Sequence, residues 1–143
     1  MLQAYPVKIT PNRVGGFIAR FPDVPEALTE ADTKDEVLHW AQDALVVALS
    51  GYLDQRKDIP QPSRPKRGQS LVALPPMIAV KLAVYQAMRD KGVSQADLAR
   101  RLGCDSRQVR RILDLDHHSR LDLLAAALHA LGKRLVVDVR SAA

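Results

Sequence analysis

The chain has one cysteine, Cys104, so no disulfide can form within it. Cys104 follows Gly103 at a place that suits a small packed residue, and it reads as a buried thiol rather than a reactive one. With no disulfide to protect, a reducing cytoplasm is the expected home. No apolar run approaches the length of a membrane span, and the first residues do not read as a signal peptide. No membrane partner is therefore expected. Patterns that carry catalysis are also missing. There is no Ser/His/Asp arrangement with useful spacing and no glycine loop to cradle a phosphate. His117 and His118 stand near Asp114 and Asp116, but adjacent histidines in an extended loop point apart and no third ligand follows at helical spacing. The expectation is a chain with no enzymatic activity, metal or cofactor.

What is present divides the chain in two. Its 143 residues suffice for one ordinary domain or two small ones, and 47% hydrophobic residues supply a core. Residues 1–63 carry six Lys/Arg against nine Asp/Glu, a net of −3, whereas residues 64–143 carry fifteen against seven, a net of +8. The basic half suits a polyanion, with strong salt dependence. The acidic half suits a basic protein.

Residues 4–10 alternate, with Tyr5, Val7 and Ile9 on one side, and read as a strand that Pro6 marks as an edge or a bulge. Asn12 to Gly16 is turn chemistry. Phe17, Ala19 and Phe21 alternate with Ile18 and Arg20 in a second strand. Pro22 to Pro25 is a stiff crossing, and residues 26–30 suit a short third strand. Thr33 with Glu36 forms a capping box ahead of a helix reaching about Gln55. Val37, Ala41, Ala44, Leu45, Ala48 and Tyr52 make its inward stripe; Trp40 and Leu49 lie beside it, and Trp40 reads as core.

Composition changes over residues 56–70, where prolines, a glycine and cations read as a solvated linker. Residues 71–74 are a short apolar run, a candidate fourth strand. A helix is expected over 77–91, ended by Gly92. Near the C-terminus, Ser119 and Asp122 read as a capping box for a helix ending at Gly132. Residues 134–139 have strand propensity but need a partner, which a second copy across a two-fold axis can supply.

The most informative stretch is Ser94 to Leu113. Ser94 is a cap, Leu98, Ala99 and Leu102 form one apolar face, and Gly103 suits a left-handed helix end. Asp105 or Ser106 caps the next helix, whose buried face is Val109, Ile112 and Leu113. The spacing Gln95, Ala99, Gly103, Val109, Ile112 resembles a helix-turn-helix DNA reader of the phage-repressor kind, which lays its second helix in the major groove of duplex DNA. By that resemblance Ser106, Arg107, Gln108 and Arg110 face bases, while Gln95, Arg100, Arg101 and Arg111 meet phosphates. The bland alternative is a helical hairpin with a solvated basic face.

A second resemblance covers most of the chain. The order strand, Gly15-Gly16, strand, Phe21-Pro22-Asp23-Val24-Pro25, short strand, Asp32-Thr33, long helix is similar to the HicB antitoxin family. The family usually has glycines where this chain has Glu26 and Ala31. The resemblance implies an α+β chain. Its front would be a partial ribonuclease-H-like domain, a three- or four-stranded sheet with one long helix, that binds a HicA-type mRNA-cleaving toxin. Its rear would be an all-α helix-turn-helix domain with a short C-terminal strand. The implied division is a toxin-binding domain over 1–63, with a strand at 71–74 as its optional completion, a linker over 64–75, and a DNA-binding, dimerising domain over 76–143. Asp23, Glu26, Glu30 and Asp32 are the toxin-binding candidates, since they can steer a basic partner. The sheet lacks the carboxylate cluster that ribonuclease-H nucleases gather around metals, so the resemblance implies no nuclease. Operator DNA, the toxin and a second copy, as homodimer or tetramer, are the expected partners. The competing reading is a free-standing transcription regulator whose front domain senses a ligand or oligomerises.

Overall fold

A computed structural model describes residues 4–142. The chain runs β1 (Ala4–Pro11), β2 (Phe17–Phe21), β3 (Val24–Ala31), α1 (Lys34–Asp54), β4 (Ser70–Ala73), α2 (Pro76–Lys91), α3 (Gln95–Leu102), α4 (Ser106–Leu113) and α5 (Leu121–Ala130). The strands form one antiparallel sheet in the order β3-β2-β1-β4. The apolar run near residue 72 does return to the sheet, with Tyr5 opposite Val72.

Alternation decides which face is buried. Tyr5, Val7, Ala19, Phe21 and Ala27 are almost fully buried, and α1 covers them with Val37, Ala41, Leu45 and Leu49. Thr33 starts α1, its hydroxyl accepting from the Glu36 amide at 3.1 Å. The β1–β2 turn is tied by the Asn12 side-chain oxygen, which accepts from the amides of Val14 (3.0 Å) and Gly16 (2.7 Å). A Cβ on Gly16 would lie 2.6 Å from the Ala31 carbonyl oxygen, so only glycine fits there.

Four local expectations need correction. Trp40 is not core: it is 50% exposed, because the buried row recurs every four residues from Val37 and Trp40 lies one residue, about 100° of helix rotation, from Ala41. Glu26 and Ala31 lie within β3, which is longer than expected, and neither needs positive φ; a register shift at Arg20/Phe21 absorbs the turn instead. Residues 56–63 are not a free linker. Ile59 is 3% exposed, and the segment is fastened to the body by Tyr5 Oη on the Pro60 carbonyl (2.6 Å), Tyr85 Oη on the Lys57 carbonyl (2.8 Å) and the Ile59 amide on Gln86 Oε1 (2.9 Å). Burial pushes the Tyr5 phenol well above its usual range, with Asp23 adding to it. The Ser119 box is not made: Arg120 is the N-cap without a side-chain cap bond, and Ser119 Oγ is buried without a partner among the described residues.

Residues 133–142 lie in no helix or strand, so the expected C-terminal strand forms no ladder within the chain. Val136, Val137 and Val139 are exposed.

The buried residues form two clusters, one under the sheet and one among the helices. Helix α2 serves both, giving Ile78, Leu82 and Tyr85 to the first and Val84, Ala87 and Met88 to the second. Leu82 and Val84 are both fully buried, which contributes about 1.5–3 kcal/mol for each side chain.

Candidate nucleic-acid interface

Two eight-residue helices, α3 and α4, meet across Gly103-Cys104-Asp105. Ser94 and Asp97 make a reciprocal capping box at the start of α3: the Asp97 amide donates to Ser94 Oγ (3.1 Å) and the Ser94 amide to Asp97 Oδ2 (3.4 Å). Gly103 ends α3 at φ +66, where a side chain would be strained. Its neighbour Cys104 donates its amide to the Ala99 carbonyl at 3.0 Å. Asp105, not Ser106, caps α4 by accepting from the Gln108 amide at 2.9 Å. Between the helices Leu98, Ala99, Val109 and Ile112 are buried, and the small Ala99 side chain allows the close crossing.

The outer face of α4 presents Ser106, Arg107, Arg110 and Arg111, all exposed, with Gln108 half-buried. No acid lies within α4. On α3, Gln95, Arg100 and Arg101 are exposed too. Two of these cations already have partners. Arg100 pairs with Asp97, and Arg101 Nη1 donates to the Ala130 carbonyl at 3.0 Å, closing the end of α5. Gln95 and Arg110 also border an open cleft of about 1090 Å³ that runs toward Asp54, the last residue of α1, and Arg56 beyond it.

Sequence reading missed the group that holds the far end of α4. The Lys81 ammonium, in α2, donates to the carbonyls of Arg111 (2.9 Å) and Asp114 (2.7 Å). Both carbonyls also accept a backbone amide, from Asp114 (3.3 Å) and His117 (3.1 Å) respectively, so Lys81 adds a second, charged donor at the helix end. Burial lowers the Lys81 pKa below its ordinary value, and the Asp114 charge offsets part of that. Nothing in the local sequence marks Lys81, which sits 30 residues from Arg111.

The four acidic candidates of the front half differ in their partners. Asp23 Oδ2 accepts from both the Ser63 amide (2.9 Å) and its hydroxyl (3.0 Å). Glu26 accepts from Tyr52 Oη at 2.8 Å. Burial raises the Tyr52 pKa, and the Glu26 hydrogen bond and charge add to that. Glu30 is exposed on β3 opposite Ile18, and Asp32 is exposed just beyond it. Among the described residues, no group of three or more His, Cys, Asp or Glu is arranged to hold a metal ion, and no helix is long and apolar enough to cross a membrane.

Comparison with known proteins covers both halves. Residues 4–83 match the family model described as the HicB-like antitoxin of bacterial toxin–antitoxin systems. Antitoxin HicB 2 of Photorhabdus laumondii is 44% identical over 131 residues, 92% of each chain. Antitoxin HicB of Escherichia coli K12 is 35% identical over 92% of this chain and 95% of its own. The corresponding antitoxin of Pseudomonas fluorescens is 37% identical over 84% and 83%.

Proposed function

The chain belongs to the HicB-like antitoxin family, and from that premise we propose that it binds and masks a HicA-type mRNA-cleaving toxin while repressing its own operon. Masking needs no chemistry, only an interface that covers the toxin's active residue. The sheet and α1 would supply that interface, and the helices from α2 onward would bind DNA as a helix-turn-helix module. This is the division expected from the sequence, with the boundaries near residues 63 and 76.

The observation that carries the DNA half is the exposed, acid-free face of α4, with three arginines on an eight-residue helix. In the major groove Arg107 and Arg110 would pair with guanines and Gln108 with adenine. Gln95, Arg100 and Arg111 would meet phosphates, as would Arg101 with the donors its Ala130 contact leaves over. Residues 134–139 would pair with a second copy across a two-fold axis, placing two α4 helices on half-sites about 34 Å apart. The exposed valines Val136, Val137 and Val139 support that pairing.

Co-expression with the small reading frame beside the gene tests the toxin half. The expected result is rescue of growth and a co-purifying complex; a neighbour that is neither toxic nor bound overturns it. Band-shift titration on DNA upstream of the pair tests the other half. Affinity no better than for unrelated DNA, at matched salt, overturns operator recognition.

A further inference from the structure

We propose that the toxin is seated in the groove between β3 and α1, as an extended basic segment laid along β3. This rests on the antitoxin reading and gives it a location. β3 is an edge strand, so half of its backbone groups face outward from the sheet. Beside that edge lies a groove of about 530 Å³. Leu28, Trp40 and Val47 line it, and they are 50%, 50% and 72% exposed. None of the three belongs to either buried cluster, so the fold does not account for them. An extended peptide added to such an edge gains backbone hydrogen bonds from the strand and specificity from the side-chain pockets.

Charge selects the occupant. From Asp23 to Asp43 the sequence holds seven acids and one cation, Lys34. Two acids, Glu26 and Asp43, border the groove itself against one cation, Lys57, and Tyr52 holds the Glu26 carboxylate at one end. A second copy is a poor fit, because two-fold antiparallel pairing of β3 with itself about Leu28 sets Glu26 opposite the other copy's Glu30, and like charges across strands repel. Nucleic acid is repelled outright. A basic protein segment with apolar side chains satisfies the edge, the groove and the charge together.

The test is calorimetric titration of the co-encoded toxin into the full chain and into Val47→Arg, Glu30→Lys and Val14→Arg variants. Val14 is 87% exposed on the β1–β2 turn, outside the groove, and serves as control. The expected result is affinity lowered about tenfold or more by Val47→Arg and by Glu30→Lys, unchanged by Val14→Arg, with melting temperature and DNA binding intact in all three. If the wild-type chain binds toxin and both the groove variant Val47→Arg and the β3 variant Glu30→Lys bind it within twofold, the proposed seat is wrong and the antitoxin reading stands. If Val47→Arg changes only the oligomeric state, the groove joins copies of this chain and the seat is again wrong. If the wild-type chain binds no toxin, both readings fall.

Discussion

The Lys81 ammonium reaches 2.9 Å to the Arg111 carbonyl, so a residue of α2 closes the last turn of α4. Replacing it by methionine keeps the apolar stem and leaves the Arg111 and Asp114 carbonyls without that donor. Lys81→Met should cost about 1–3 kcal/mol in urea denaturation. The folded state holds this proton less tightly than the unfolded chain, whose lysine has the ordinary value of 10.5. Wild-type stability from this group therefore rises as pH climbs from the lowered folded pKa toward 10.5. The gap to Lys81→Met should widen over that range, and a gap that narrows would contradict the burial account.

Arg107 and Arg100 separate specification from positioning. Arg107→Ala should cost about 1–3 kcal/mol on operator DNA and relax sequence preference. Arg100→Ala should weaken all sequences alike and flatten the salt slope by about one. Its pairing with Asp97 makes the loss smaller than for an unpaired cation. Competition binding at several salt concentrations reads both. Unchanged selectivity in Arg107→Ala would remove that side chain from the base-reading set.

Ile59 holds the crossing segment to the body, and Ile59→Ala should destabilise by about 2–5 kcal/mol. The same variant should open Arg56, Lys57, Lys66 and Arg67 to trypsin sooner than wild type. Equal cleavage rates would mean that the segment detaches readily despite its hydrogen bonds.

Ser119 gives a prediction of opposite sign from its sequence reading. A working N-cap costs about 0.5–2 kcal/mol when lost. Here the hydroxyl is buried and unpartnered, so Ser119→Ala should leave the melting temperature unchanged or raise it. A clear fall would restore the capping box.

Signals local in sequence survived well. Thr33, Ser94 and Gly103 each sit where their caps were expected, because capping depends on residues within one turn. The sheet strands followed from alternation, although β3 reaches past Pro25, which an edge strand tolerates. Trp40 misled because helical periodicity fixes a stripe and not its borders. Ile59 and Lys81 were invisible for a different reason: each is fixed by residues about thirty places away, Gln86 for one and Arg111 for the other. For the candidate site, the exposed arginines of α4 were legible from its amphipathic pattern, whereas the arginine turned to the end of α5 was not.

Helix α2 gives side chains to both apolar clusters along its 16 residues. A beam mortared into two adjoining rooms ties their fates together. Heating should melt the chain in a single calorimetric step, with no half-folded survivor able to keep one grip while releasing the other. The bearing of the arginine helix relative to the sheet is set by the same beam.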